Sequence, residues 1–313
     1  MTLTELRYIV AVAQERHFGR AAEKCFISQP TLSVAVRKLE DELGVKLFER
    51  NAADVTVTPV GERIVQQAQR VIEETAAIKH IAAEGRDQLA GSLRLGVIYT
   101  IGPYLTPQLI PILHRRAPRM PLLIQENFTA QLAEALKNGD VDVIILSLPF
   151  AEPGIVTQAL YDEPFRVLVP ADHAWAKKKR IPAADLCGEK LLLLSSGNCF
   201  RDQVLEVCPQ ANRIATNTVQ KSLEGTSLET IRQMVASGAG ITVLPSTATD
   251  RRTAQSPLIA IREFVAPVPS RRIALAWRTS FPRPQAIEAV RQAVLAAKLP
   301  GVTLLPNAKP ANG

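Results

Sequence analysis

A chain of 313 residues is long for one domain and comfortable for two or three. With 47% hydrophobic and 21% charged residues the composition is that of an ordinary globular protein, and only 5% aromatic residues makes a stacking platform for single-stranded nucleic acid a poor fit. The formal charge of +7 suits an anionic partner, yet residues 1–90 hold twelve Lys/Arg against thirteen Asp/Glu, a net of −1, so DNA binding has to be argued from a motif and not from overall charge.

Leu6, Ile9, Val10 and Ala13 recur at helical spacing between Thr4 and Ala13. A short second helix spans Gly19 to Cys25, and its Ala21-Ala22 pair lets another helix approach closely. Ser28-Gln29-Pro30 reads as a helix start, because Ser28 can cap free N–H groups and proline is tolerated in the first turn. The helix that follows carries Leu32, Val36, Leu39 and Leu43 on one face and ends at Gly44, with Thr31, Ser33 and Arg37 on or near its other faces. Short helix, tight turn and second helix with an apolar stripe form a helix-turn-helix grammar. A small helical bundle that never meets DNA has the same periodicity. Val45–Arg50 and Asp54–Val57 read as the two short strands of a wing.

Thr58-Pro59-Val60-Gly61 opens a long helix running to about Asp87. Val60, Ile64, Ala68, Val71, Thr75, Ile78 and Ala82 step by 4, 4, 3, 4, 3 and 4, close to a coiled-coil seam. A helix of about 28 residues is about 42 Å long, too long to hide its stripe against the small N-terminal domain. A partner helix from a second subunit is the simplest cover, with packing on its own chain as the alternative. Leu89-Ala90-Gly91-Ser92 reads as a hinge.

From Ser92 the pattern becomes strand–helix–strand: strand Leu93–Ile98, helix Gly102–Ala117, strand Leu122–Glu126, a helix with Leu132, Ala135 and Leu136, and strand Val141–Leu146. Further strands are expected at Phe165–Val169, Leu191–Leu194, Gly240–Leu244 and Arg272–Trp277, with helices over Ser227–Gly238 and Pro284–Ala297. Strands alternating with helices predict a parallel α/β sheet. Two such lobes, with the chain crossing near Asp162 and returning near Pro267, leave a cleft between them. The tail after Leu305 is expected to fray.

The first thirty residues carry Glu5, Glu15 and Glu23 and lack an apolar core with a cleavage site, so no secretory leader is expected. No stretch approaches the roughly 20 apolar residues needed to span a bilayer. Four cysteines (Cys25, Cys187, Cys199 and Cys208) do not make a secreted disulfide scaffold in a chain of this size. The expectation is a cytoplasmic protein without a membrane partner, in which any disulfide is transient. Its four histidines stand in no ligand-like spacing with the cysteines, so no metal and no cofactor are expected.

Leu6, Phe18, Ala21-Ala22, Ser28-Gln29-Pro30-Thr31-Leu32-Ser33, Leu39-Glu40, Leu43-Gly44, Leu47-Phe48-Glu49-Arg50 and Thr58-Pro59 with Gly61 together resemble the winged helix-turn-helix of LysR-type regulators. The resemblance extends over the linker helix and both lobes. It implies an α/β fold with an all-α-rich N-terminal part: a winged helix-turn-helix DNA-binding domain (1–58), a linker and dimerisation helix with hinge (59–90), and a two-lobed, periplasmic-binding-protein-like regulatory domain (91–313). The lobes are expected at about 91–162 with 267–300, and at about 163–266. DNA contacts are implied for Gln29, Pro30, Thr31, Ser33, Arg37 and, at the wing, Arg50.

The stretch Gly197-Asn198-Cys199-Phe200-Arg201-Asp202-Gln203-Val204-Leu205-Glu206-Val207-Cys208 is similar to that of the peroxide-sensing members of the family. That likeness implies a non-enzymatic regulator of oxidative-stress genes in which hydrogen peroxide attacks at Cys199 and Cys208 resolves it as an intramolecular disulfide. Thr100 and Thr129 match positions that hold the peroxide, with Asn198 and Arg201 beside them. Asn198 departs from the pattern, since the best-known members carry His there; asparagine hydrogen-bonds but takes up no proton near pH 7. RNA polymerase, glutaredoxin or thioredoxin as reductant, and a homotetramer built as a dimer of dimers are implied as partners beside promoter DNA. A family member answering a small metabolite in the inter-lobe cleft is the alternative.

The residues add a mechanical argument. If Arg201–Val207 is helical, the nine-residue step from Cys199 to Cys208 is about 13.5 Å of rise and about 900° of turn. A disulfide needs Cα atoms within roughly 4.4–6.8 Å, so helix and bridge exclude each other. Helix N-terminal N–H groups and Arg201 can stabilise a Cys199 thiolate, and Val204, Leu205 and Val207 surround Cys208. Read without the flanking likeness, both cysteines fit ordinary core positions, Thr100 and Thr129 fit helix caps, and Cys25 and Cys187 read as structural.

Overall fold

The computed structural model describes residues 1–50, 55–81, 88–208, 225–249 and 256–312, and of Arg50, Ala77, residues 79–81 and Asn312 the backbone alone. The expected residues Asp54, Ala82 and Asp87, and the Arg50 side chain, lie outside the described residues. The chain divides into two compact units, one built on residues 1–88 and the other on most of 89–313.

In the first unit, helices α1 (Leu3–Glu15), α2 (Phe18–Lys24) and α3 (Gln29–Leu43) are each started by a side chain. Thr2 and Glu5 form a reciprocal capping box at α1. His17 Nδ1 accepts from the Gly19 and Arg20 amides at 3.1 and 3.2 Å at α2. Ser28 Oγ accepts from the Thr31 amide at 3.3 Å at α3, which ends at Gly44 in the left-handed region, φ +68°. Ile9, Val12, Ala21, Leu32, Val36, Leu39 and Leu47 meet in one buried core.

The wing strands β1 (Phe48–Arg50) and β2 (Val55–Val57) pair antiparallel, Phe48 opposite Val57. The first begins later than its apolar run predicts. Buried Glu40 explains the delay: its Oε1 accepts from the Leu47 and Phe48 amides at 2.9 and 3.2 Å, so those donors are taken before pairing begins. Helix α4 (Pro59–Ile81) is locked to the wing by Thr58, whose amide donates to Leu47 O at 3.0 Å and whose hydroxyl donates to Lys46 O at 2.8 Å. A Cβ on Gly61 would stand 2.3 Å from Leu47 O, which is why glycine occupies the first turn. Ala68 is buried and Ile64, Val65 and Ile72 pack on the core, while Val60, Val71 and Ile78 of the predicted seam are exposed in the single chain.

The second unit holds two sheets that share one strand. Strands β3 (Leu93–Ile98), β4 (Leu122–Asn127) and β5 (Val143–Leu148) are parallel in the order β4-β3-β5, connected by α5 (Gly102–Arg116) and α6 (Thr129–Lys137). The expectation of a parallel sheet stops there. Strand β6 (Ile155–Pro170) is 16 residues long, and β10 (Ser270–Arg278) runs antiparallel to both β5 and β6. The far half of β6 pairs antiparallel with β8 (Thr242–Pro245) and β9 (Ile259–Phe264), and β9 pairs parallel with β7 (Arg180–Ile181). One long strand therefore serves both lobes where the residues predicted only Phe165–Val169. Its returning partner is laid down from the far end of the chain, and that reverses direction.

The second lobe adds α7 (Cys199–Val207) and α8 (Leu228–Ala236). Leu191–Leu194, expected as a strand, makes isolated bridges only, Leu191 with Ile241 and Leu194 with Gly225. Helix α9 (Pro284–Leu295) closes the first lobe. The tail does not fray: β11 (Thr303–Leu304) and β12 (Ala311–Asn312) pair with β6, and Gln158 donates to Ala308 O at 2.8 Å. Among the described residues no helix is long and apolar enough to cross a membrane.

Candidate functional site

The carboxyl ends of β3, β4 and β5 and the start of α7 converge on one place. Thr100 follows β3 and Thr129 opens α6 just after β4; the ends of these strands are neighbours, with Ile98 opposite Asn127. Their register puts both threonines beyond the same sheet edge, where ligands commonly bind in open α/β sheets. From β5, Ser147 Oγ accepts from Gln203 of α7 at 2.8 Å.

Cys199 is the first residue of α7, with a free, partly exposed thiol. Gly197 precedes it at φ +93°, a left-handed turn that favours glycine, and faces the Phe128 ring. Buried Asn198 donates from Nδ2 to Ser195 O at 3.0 Å, and Arg201 donates to Leu194 O at 2.7 Å. Both expected contacts to the peroxide are thus engaged in holding the loop that presents Cys199. Thr129 Oγ1 is buried without a hydrogen-bond partner among the described residues.

Two residues that the sequence reading missed organise the site. Arg271 on β10 and Glu163 on β6 form an ion pair at 2.8 Å, with both side chains fully buried. Arg271 also donates to Thr100 Oγ1 at 2.7 Å and to Thr100 O at 3.0 Å, and its guanidinium lies 5.0 Å from the centre of the Phe200 ring. Glu163 accepts from the Thr247 amide at 3.0 Å and from the Thr247 hydroxyl. All three Arg271 nitrogens and both Glu163 oxygens are thus engaged, as a buried ion pair requires. Phe200, next to Cys199, packs edge-on against Phe165 at 5.1 Å, so α7 is tied to the network through its first turn. A cavity of about 280 Å³ flanks α7, lined by Gln203, Glu206, Val207, Phe165 and Arg271 among others. Alternation along the strands carried a usable signal: Glu163 shares a face with buried Tyr161 and Phe165, and Arg271 with buried Ile273.

At the other end of α7, Cys208 is fully buried and bonded to Cys187, with Cα atoms 5.7 Å apart. Cys187, expected as a structural residue, is thus one half of a disulfide. It stands beside the thiol that the resemblance assigns to resolving Cys199. Helix α7 is intact in this state, and the Cys208 amide donates to Val204 O at 3.2 Å. Burial pushes the Cys25 thiol up, which makes it a poor nucleophile.

In the N-terminal unit, Gln29, Pro30, Thr31 and Arg37 are exposed on α3 and Ser33 is half-buried. The Thr31 hydroxyl lies 2.7 Å from that of Ser28, so the helix start is ordered from within. Phe26, 94% exposed in the turn before α3, and Val34, 66% exposed on it, are apolar surface groups that a search for polar residues passes over.

Residues 3–62 match the family model of the bacterial regulatory helix-turn-helix protein, lysR family, and residues 86–298 match that of the LysR substrate binding domain. The chain is 42% identical over 282 residues to a hydrogen peroxide-inducible genes activator of Dickeya chrysanthemi, covering 90% of this chain and 91% of the relative. It is 40% identical over 296 residues to the DNA-binding transcriptional dual regulator OxyR of Escherichia coli K12, covering 95% of each. Among solved structures, full-length OxyR C199D from Pseudomonas aeruginosa is similar at a TM-score of 0.80 and 55% identity, covering 96% of each chain.

Proposed function

The chain belongs to the LysR family of regulatory helix-turn-helix proteins, and from that premise we propose that it is a DNA-binding transcription regulator switched by hydrogen peroxide through Cys199 and Cys208. What carries the reading is the placement of a free, partly exposed Cys199 at the first residue of α7 and Cys208 at its far cap, in a chain similar to hydrogen peroxide-inducible genes activators.

The chemistry starts from the fully reduced thiols. Thr100 and the unsatisfied hydroxyl of Thr129 hold the peroxide beside α7. The Cys199 thiolate attacks one oxygen, the O–O bond breaks, and hydroxide leaves to become water. The resulting sulfenic acid condenses with the Cys208 thiol, forming the S–S bond and releasing a second water. Because Cys199 and Cys208 are about 13.5 Å apart along an intact α7, the helix has to unwind first. Unwinding withdraws Phe200 and Val204 from the second-lobe core, a cost of about 1.5–3 kcal/mol for each side chain. It also removes the ring from Arg271. The pair of states is a switch because the bond and the packing cannot coexist.

The output is DNA contact and recruitment of RNA polymerase. Helix α3 presents Gln29, Pro30, Thr31, Ser33 and Arg37 to the major groove, and Arg50 serves the phosphate backbone. The exposed Val60, Val71 and Ile78 stripe of α4 supports pairing with the same helix of a second subunit, and the assembly is a tetramer of two such pairs. Residues 1–58, 59–90 and 91–313 act as reader, linker and sensor in a cytoplasmic regulator that is not an enzyme. Glutaredoxin or thioredoxin returns the disulfide to thiols.

Mass-spectrometric mapping after one equivalent of hydrogen peroxide, starting from fully reduced protein, is expected to find the Cys199–Cys208 bridge. Cys199→Ser should keep promoter binding and lose the peroxide response; an unchanged response in that variant overturns the proposal.

A further inference from the structure

We infer that Cys187 is a third member of the thiol switch: it takes Cys208 over from Cys199, ends the Cys199–Cys208 state and returns Cys199 as a thiolate. The inference rests on the peroxide reading above.

Two bridges compete for Cys208, and they make opposite demands on the fold. The Cys187–Cys208 bridge spans 5.7 Å between Cα atoms with α7 helical, Phe200 and Val204 buried, and Cys199 free. The Cys199–Cys208 bridge needs that helix undone. Cys187 sits in the 3-10 turn Ala183–Gly188, anchored in the second-lobe core by fully buried Leu186, and is itself partly exposed. The place Cys208 takes in the folded α7 is therefore at bonding distance from Cys187, 21 positions earlier in the chain, and α7 refolds as the exchange releases Cys199.

The exchange needs no further oxidant. The Cys187 thiol loses its proton to water, and the thiolate attacks Cys208 Sγ within the Cys199–Cys208 bridge. The Cys187–Cys208 bond forms as the Cys199–Cys208 bond breaks, and the electron pair leaves on Cys199. One peroxide has been reduced to two waters, and the two oxidising equivalents now rest on Cys187 and Cys208. Recovered packing of Phe200 and Val204 drives the exchange forward. Cys199 is then again a thiolate but has no resolving partner, so a second peroxide stops at the sulfenic acid until reductant frees Cys208. The device times the signal and limits each round to one equivalent.

The test is a time course on reduced full-length protein given one equivalent of hydrogen peroxide, acid-quenched, alkylated and mapped by peptide mass spectrometry. The expected record is an early Cys199–Cys208 peptide that converts to Cys187–Cys208 with Cys199 alkylated. In Cys187→Ser, and in Cys187→Ala as a check on folding by circular dichroism, the Cys199–Cys208 bridge should live on the order of tenfold longer or more. A wild-type Cys199–Cys208 bridge that persists with Cys187 alkylated overturns the relay and leaves the peroxide reading standing. Cys187–Cys208 forming as fast in Cys199→Ser as in wild type also overturns it, since the pair then oxidises directly. Failure of Cys199 to enter any bridge would instead defeat the reading beneath it.

Discussion

In the N-terminal unit each helix start is closed by a neighbour in sequence: Thr2 with Glu5, His17 with Gly19 and Arg20, Ser28 with Thr31. Around α7 the partners come from afar. Arg271 reaches Thr100 across 171 positions and Glu163 across 108, and Gln203 reaches Ser147 across 56. The first arrangement forms wherever the local segment is helical. The second exists only when both lobes are folded and α7 is in place, so a covalent event at Cys199 can disturb the sensor while leaving the reader's helices unchanged. A sensor has to be assembled from distant parts if one bond is to move many of them; a reader has to keep its surface rigid.

The largest expected effect is at the distant network. Glu163→Gln leaves the Arg271 guanidinium buried without its counter-charge and should cost about 3–5 kcal/mol. Urea unfolding followed by tryptophan fluorescence reads this directly, because Trp175 and Trp277 both lie in the sensing unit. An unchanged midpoint would break the contrast between the two units.

Glu40→Ala tests a buried carboxylate that does comparable work in the reader. It strands the Leu47 and Phe48 amides, at about 1–3 kcal/mol. Hydrogen exchange at the Phe48 amide should accelerate and promoter affinity should fall, with the tryptophan transition unmoved. A smaller loss, about 1 kcal/mol, is expected for Ser28→Ala, with Ser28→Asp restoring it in a circular-dichroism melt. If Ser28→Asp behaved like alanine, the cap would not be what starts α3.

The smallest effect is a pH dependence. Burial raises the Glu126 carboxyl above its ordinary value of 4.5. The folded chain therefore binds that proton more readily than the unfolded chain, and stability falls as pH rises from about 4.5 through the raised value. Glu126→Gln should flatten the urea midpoint over that window; an equally steep fall in the variant would assign it to other groups.

Much of this was legible beforehand. Ser28 and Gly44 bracket α3 because capping is decided by residues beside the helix end, and β3 coincides with its apolar run because a buried parallel strand needs little else. The nine-residue spacing already implied that helix and Cys199–Cys208 bridge exclude each other. Arg271 and Arg272 show where alternation helps and composition does not. Adjacent in sequence, they face opposite ways on β10, Arg272 exposed with Asp162 and Arg271 fully buried with Glu163. Composition could not say which face would be covered. Cys187 lay still further out of reach, since nothing beside it in the chain announces Cys208.

The sequence by itself determined the helix-turn-helix, the long helix after the wing, the parallel half of the first sheet and the helix that begins at Cys199. Those depend on caps, periodicity and spacing, which act over a turn or two of chain. Only the tertiary structure decided that β6 would serve both lobes, that β10 would return antiparallel, that Arg271 and Glu163 would meet as a buried pair, and that Cys208 would lie against Cys187. Each of these depends on which distant surfaces exclude water together, and burial is a property of the assembled chain rather than of any stretch of it.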